Sequence, residues 1–184
     1  MFRPEYPVRT ERLVLRPFEP QDFDDLHAYR SSPEVCRYLY SEPATPEETA
    51  QRLEKSLAMG ELNQERDWLV LAVCLDGKVI GDVVLRWRSE ADRQGEVGYV
   101  FNPDFTGCGY ALEATRAMLK IGFQSMGLHR IVAECDARNE ASWRLMERLG
   151  MRREAHLRHA EFFKGEWADS FVYAMLAAEY RTDQ

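Results

Sequence analysis

Gly107 and Gly109 flank a single cysteine at the point where an apolar strand pattern gives way to a helical one. The strand, Val97 to Phe101, runs into Asn102-Pro103, a dipeptide that stops a ladder. Ala111, Ala114, Met118 and Ile121 then recur at helical spacing. Glycines let backbone N–H groups point inward with no Cβ in the way. The first helical turn adds unpaired N–H groups and the positive end of the dipole. Strand, glycine loop and helix start in this order make an anion site, and they read here as a pyrophosphate cradle. The competing reading is a turn that only connects strand to helix, and one GxG does not separate the two.

Two other phosphate motifs compete for the stretch. A P-loop needs GxxxxGK[ST], and no Gly-Lys-Ser/Thr occurs in the chain. A dinucleotide fingerprint would use Gly107-Cys-Gly109 with Asp136 as the ribose acid, but Leu112 stands where the third glycine belongs. Antiparallel strands also precede the loop where that fold needs parallel ones.

A second cluster follows. Asn139 reads as the N-cap of a helix that Gly150 ends. Ser142 shares the stripe of Leu145, Met146 and Leu149, so its hydroxyl is expected to face inward. The plain alternatives are a cap at Asn139 and an ordinary small residue at Ser142.

The elements that would carry these residues can be read in order. Thr10-Glu-Arg-Leu-Val-Leu-Arg-Pro17 alternates and predicts a first strand. A helix follows over 20–30, then 34–41, which has no clear period. Thr45, Pro46 and Glu48 form a capping-box signature for a helix reaching about Gly60. Strands over 68–75 and 78–87 join at Asp76-Gly77, a tight-hairpin signal. Residues 96–101 complete a three-stranded meander, and a helix over 109–126 follows the glycine loop. A strand over 130–136, the Asn139 helix, and a terminal hairpin over 152–163 and 166–177 finish the chain. This is a mixed α/β (α+β) domain spanning 1–184, with its core over about 10–177.

Composition narrows the function. The 184 residues suffice for one sizeable core, and 45% are hydrophobic against 30% charged. No apolar run approaches the ~20 residues of a membrane span, and the N-terminus lacks a signal-peptide core. Cys36, Cys74, Cys108 and Cys135 show no CxxC spacing, so neither metal nor disulfides are expected and a cytoplasmic location is. A net charge of −7 without a basic stripe argues against nucleic acid and leans weakly toward cationic partners such as amines.

Gly98-Tyr-Val-Phe-Asn-Pro with Gly107-Cys-Gly-Tyr-Ala-Leu-Glu-Ala resembles the acetyl-CoA-binding segment of the GNAT superfamily of N-acetyltransferases. Leu128-His-Arg-Ile-Val-Ala, Asn139-Glu-Ala-Ser142 and Leu149-Gly-Met151 fit too, and the opening Thr-Glu-Arg-Leu-Val-Leu-Arg-Pro resembles the ribosomal-protein-alanine (Rim-type) branch. The motifs run in family order from about Thr10 to Leu176. Where the family usually places Gln or Arg, this chain has Thr106.

The resemblance implies a sheet whose central strands splay apart, with flanking helices. It implies that Thr106, Gly107, Cys108, Gly109, Tyr110 and Ala111 hold the pyrophosphate of acetyl-CoA. Tyr99, Val100 and Phe101 would pair with the pantetheine arm, and Asn139 and Ser142 would meet pantetheine and the thiol. Glu161 matches the branch's proposed base, with Glu96 as the alternative used by other branches, and Ser142 would assist the leaving thiolate. Cys108 lies in the phosphate loop, far from any thioester, which speaks against an acyl-enzyme. His159 needs no function to explain it, and His27, His129 and His156 read as structural or surface residues. The acceptor groove would lie between residues 29–42 and the terminal hairpin, lined by Tyr29, Tyr38, Tyr40, Phe162, Phe163 and Trp167. The acceptor implied is a peptide N-terminal amine, or alternatively a small amine or aminated antibiotic, on a monomer or homodimer. A non-catalytic acyl-CoA sensor is the reading from outside the enzymes.

Overall fold

Asp76 and Gly77 both take positive φ, 49° and 86°, the geometry of a two-residue hairpin whose twist matches its strands. The turn joins β3 (Trp68–Leu75) to β4 (Lys78–Ser89), and β4 returns antiparallel into β5 (Gln94–Phe101). The computed structural model describes residues 1–181. Before the meander come β1 (Val8–Arg9), β2 (Val14–Arg16), α1 (Phe23–Arg30), α2 (Pro33–Cys36) and α3 (Pro46–Leu57). After it come α4 (Tyr110–Lys120), β6 (Arg130–Asp136), α5 (Glu140–Arg148), β7 (Arg152–Phe163) and β8 (Glu166–Leu176). The eight strands form one sheet in the order β1-β2-β3-β4-β5-β6-β8-β7. Among the described residues only the β5–β6 pair is parallel.

Both faces of the sheet are covered, which is why β3 reads as an unbroken apolar run. Leu69, Leu71, Val73, Val83, Leu85 and Val97 pack beneath α4 and α5 with Ala114, Met118 and Met146. Val70, Ala72 and Cys74 face the other way, against Leu26, Tyr29 and Leu53 of α1 and α3. Alternation therefore puts Tyr99 and Phe101 on the α4 side and Glu96 and Val100 on the α1 side. The capping box at α3 forms as expected: Glu48 N–H donates to Thr45 Oγ1 and Thr45 N–H to Glu48 Oε2.

Two expectations change. The strand expected over 10–17 is paired only at Val14–Arg16, because Thr10 and Leu13 close a turn by mutual hydrogen bonds. The helix expected to reach Met126 is α-helical to Lys120 and continues as a wider π-helical turn over Ile121–Ser125. Residues 34–41, without a period in the sequence, supply the short α2 and then a loop.

Candidate active site

Gly107 and Gly109 hold φ of 79° and 83°, left-handed conformations that favour glycine. Gly109 is the N-cap of α4 and has no side chain to satisfy the helix start. The N–H groups of Gly107, Cys108, Gly109, Tyr110 and Ala111 find no acceptor among the described residues. A row of free donors at a helix N-terminus suits a diphosphate. Thr106 departs from expectation. Its N–H and its hydroxyl both donate to Pro103 C=O, at 3.1 and 2.8 Å, so its own donors are spent inside the turn.

The loop is held from behind by the turn at residues 10–13. Arg12 donates from Nη1 to the Cys108 C=O at 2.9 Å and from Nε to Glu113 at 2.8 Å, while its guanidinium lies over the Tyr110 ring. Glu113 also accepts from Thr10 Oγ1 and from the Arg12 N–H. Burial pushes the Glu113 carboxyl up, but the bonds from Thr10 and Arg12 outweigh it and hold it below the usual range. A recess of about 1040 Å³ lies beside this clamp; it takes in Arg12, Cys108 and Gly109 but neither Ser142 nor Glu161.

The central strands part where the thioester is expected. β5 and β6 pair at Gln94–Arg130, Gly95–Ile131 and Glu96–Val132 and no further. From Val97 onward β5 keeps β4 on one side, while β6 follows β8. The free edge over Val97–Phe101 offers main-chain groups to an extended ligand. On the α5 side of this gap, Tyr99 Oη lies 3.0 Å from both Ser142 Oγ and Ser142 C=O. Asn139 caps α5 by accepting from Ser142 N–H at 3.2 Å. Burial raises Tyr99, with the Ser142 bond opposing, so the phenol stays protonated.

On the opposite face the gap opens into a cavity of about 200 Å³ lined by Glu96, Glu134, Glu161, Tyr38, Tyr40 and Phe163, among others. Glu161 accepts a hydrogen bond from the Tyr40 hydroxyl. Glu96 is engaged by Arg86 at 3.6 Å and Arg88 at 3.8 Å, and Arg88 also reaches Glu134 at 3.5 Å. Lys164, in the β7–β8 turn, donates to the Cys36 and Ser41 carbonyls and holds the loop after α2 against the hairpin.

Tyr38, Tyr40 and Phe163 thus line the cavity as expected, and three other aromatics do not. Tyr29 is 0% exposed and donates to Asp82 Oδ2 at 2.7 Å in the core under α1. Phe162 and Trp167 pack on each other on the outer face of the hairpin, because alternation from Glu161 turns them away. His156 bonds Asp169, and His159 stacks on Trp167, both outside the cavity.

Residues 12–152 match the model of the acetyltransferase (GNAT) domain. The chain belongs to the GNAT acetyltransferase family. It is 34% identical over 173 residues to the uncharacterized N-acetyltransferase YnaD of Bacillus subtilis, covering 94% of this chain and 98% of that one. An acetyltransferase (GNAT family) structure from Bacillus anthracis superposes with a TM-score of 0.83 at 35% identity, covering 94% and 99%. The fold also matches spermidine N-acetyltransferase from Vibrio cholerae in complex with CoA and spermine, with a TM-score of 0.78 at 23% identity over 93% and 99%.

For this acetyltransferase, sequence reasoning missed Arg12, Lys164 and the arginines around Glu96, and it placed Tyr40 in the groove without its bond to Glu161. None belongs to a local motif: Arg12 meets Glu113 across 101 positions, and Tyr40 meets Glu161 across 121. Among the described residues no three His, Cys, Asp or Glu side chains converge as a metal site needs, and no helix is long and apolar enough to cross a membrane.

Proposed function

We propose that the chain transfers the acetyl group of acetyl-CoA to the α-amine of a peptide N-terminus, in the cytoplasm. The carrying observation is that the β5–β6 ladder stops at Glu96–Val132, level with the cavity that holds Glu161. A thioester threaded through that gap meets Ser142 on one face and Glu161 on the other. Acetyl-CoA supplies the activated acyl group; the rest is done by this chain's side chains and backbone.

The N–H groups of Gly107–Ala111 hold the pyrophosphate, with Arg12 keeping the loop in shape. The edge of β5 at Tyr99, Val100 and Phe101 aligns the pantetheine arm, and Asn139 fixes the first turn of α5. Glu161 takes the proton from the attacking amine. An α-amine, with its ordinary pKa of ~7.7–8.0, is partly neutral at physiological pH and suits a carboxylate base. Ser142 Oγ–H gives a proton to the departing sulfur while Tyr99 stays bonded to the oxygen, and solvent returns a proton to Ser142 as Glu161 releases the one taken from the amine. Glu161 is preferred to Glu96 because two guanidiniums already engage Glu96, whereas Glu161 holds one phenol that an amine can displace.

An assay of thiol release from acetyl-CoA with a panel of peptides and small amines tests this reading. Turnover on peptides with intersecting initial-rate lines supports it. Turnover confined to small amines, or ping-pong kinetics, contradicts it.

A further inference from the structure

Residues 37–43, between α2 and α3, are tied at both ends to one atom of α1. The Cys36 thiol donates to the Arg30 C=O at 3.4 Å, and the Ala44 N–H donates to the same oxygen at 2.9 Å. Cys36 is buried, whereas none of residues 37–43 is, and Tyr40 is 80% exposed. A segment with fixed ends and no buried side chain sits at the low end of local stability.

Its tip is held by the terminal hairpin. Lys164 Nζ donates to the Cys36 C=O at 2.6 Å and to the Ser41 C=O at 3.3 Å, and lies 3.6 Å from Glu42. Tyr40 sets its ring edge-on to Phe163 at 5.7 Å and donates its hydroxyl to Glu161. The Arg138 guanidinium lies over the Tyr38 ring at 6.0 Å. The hydrogen bonds among these contacts are ones that water can replace.

The segment also closes the site. Tyr38, Leu39 and Tyr40 wall the Glu161 cavity, which at about 200 Å³ falls below the ~300–1,000 Å³ of pockets that enclose a whole ligand. Tyr40 supplies both part of that wall and the hydrogen bond on Glu161 Oε2. A peptide end needs more room than this, and gains it when Tyr40 withdraws.

We propose that residues 37–43 form a flap gated by the acceptor, with Lys164 as its latch and Tyr40 as its plug on Glu161. This rests on the acetyl-transfer reading for the identity of the acceptor. With no acceptor the flap is shut and Glu161 is bonded to the phenol. An entering peptide amine takes the phenol's place, and the flap swings on its Cys36 and Ala44 anchors as the Lys164 bonds part. Acceptor affinity is then reduced by the fraction of molecules that are open.

Arg37, exposed within the flap, is a native trypsin site that reports opening with no acceptor present, because cleavage follows the open population. Tyr40→Phe keeps the ring on Phe163 and removes the bond to Glu161; Lys164→Met keeps the apolar stem and removes the latch. Both variants are expected to be cut at Arg37 about ten-fold faster than the wild type. Calorimetric titration of the CoA-loaded proteins with trialanine is expected to show about 3–10-fold tighter binding to both variants. Cleavage at the wild-type rate in either variant, trialanine binding that is unchanged or weaker in either, or no trialanine binding by any of the three proteins overturns the flap. Faster cleavage and tighter binding without acetyl transfer to trialanine sink the catalytic reading and leave the flap standing.

Discussion

The Tyr99 hydroxyl stands 3.0 Å from the Ser142 hydroxyl and 3.0 Å from the Ser142 carbonyl, tying the free edge of β5 to the first turn of α5. The carbonyl only accepts, so with both bonds made Tyr99 donates to it and Ser142 Oγ–H donates to Tyr99. When Ser142 turns its proton toward a thiolate, Tyr99 donates to Oγ instead. Ser142→Ala is expected to lower kcat about 10²-fold, the usual weight of one positioned proton donor. Tyr99→Phe is expected to lower it about 3–10-fold, one hydrogen bond's worth. Steady-state kinetics at saturating acetyl-CoA measures both, and equal rates for Ser142→Ala and wild type exclude the role.

Arg12 braces the Gly107–Gly109 loop through the Cys108 carbonyl and lies outside the Glu161 cavity. Arg12→Met is expected to raise KM for acetyl-CoA several-fold and leave kcat within about two-fold, the signature of lost binding common to ground and transition states. A fall in kcat at unchanged KM would contradict a positioning role.

Glu113 makes the same clamp sensitive to acid. Its folded-state value lies below the ordinary 4.5, so its contribution to stability is complete above that ordinary value and is lost as pH falls through the lower, folded one. Chemical denaturation of the wild type and Glu113→Gln from neutral pH down to about pH 3 reads this out. The stability gap between them narrows in acid; a gap independent of pH would show that the Glu113 charge carries none of it.

The buried Arg30–Asp82–Tyr29 cluster ties α1 to β4. Asp82→Ala leaves a buried guanidinium without its counter-charge and is expected to cost about 3–5 kcal/mol in urea unfolding. A loss below about 1 kcal/mol would mean that water solvates the Arg30 guanidinium in place of the carboxylate.

What could be read from the sequence follows the range of the interaction. Gly109, Asn139, the α3 capping box and the Asp76-Gly77 turn each act within a few residues, so pattern and turn chemistry located them. Glu161 and Ser142 were found by resemblance, and periodicity told which way Ser142 faces. Arg12 and Lys164 were invisible because their partners lie 101 and 128 positions away, and Tyr40 was placed in the groove without its bond to Glu161, 121 positions on. Tyr29 was misread for the same reason: an aromatic on a helix stripe goes to the core when a distant strand supplies Asp82 for its hydroxyl. Thr106 was expected among the pyrophosphate-binding residues, whereas its donors close the turn that presents Gly107 and Gly109.

The central claim is that Glu161 is the base, and its direct measurement is kcat/KM for acetylation of a peptide α-amine by Glu161→Gln beside Glu161→Asp. With acetyl-CoA binding checked by calorimetry, Glu161→Gln is expected to lose about 10²–10⁴-fold across the pH profile, with Glu161→Asp recovering part of the rate. Unchanged kcat/KM for Glu161→Gln would contradict the account.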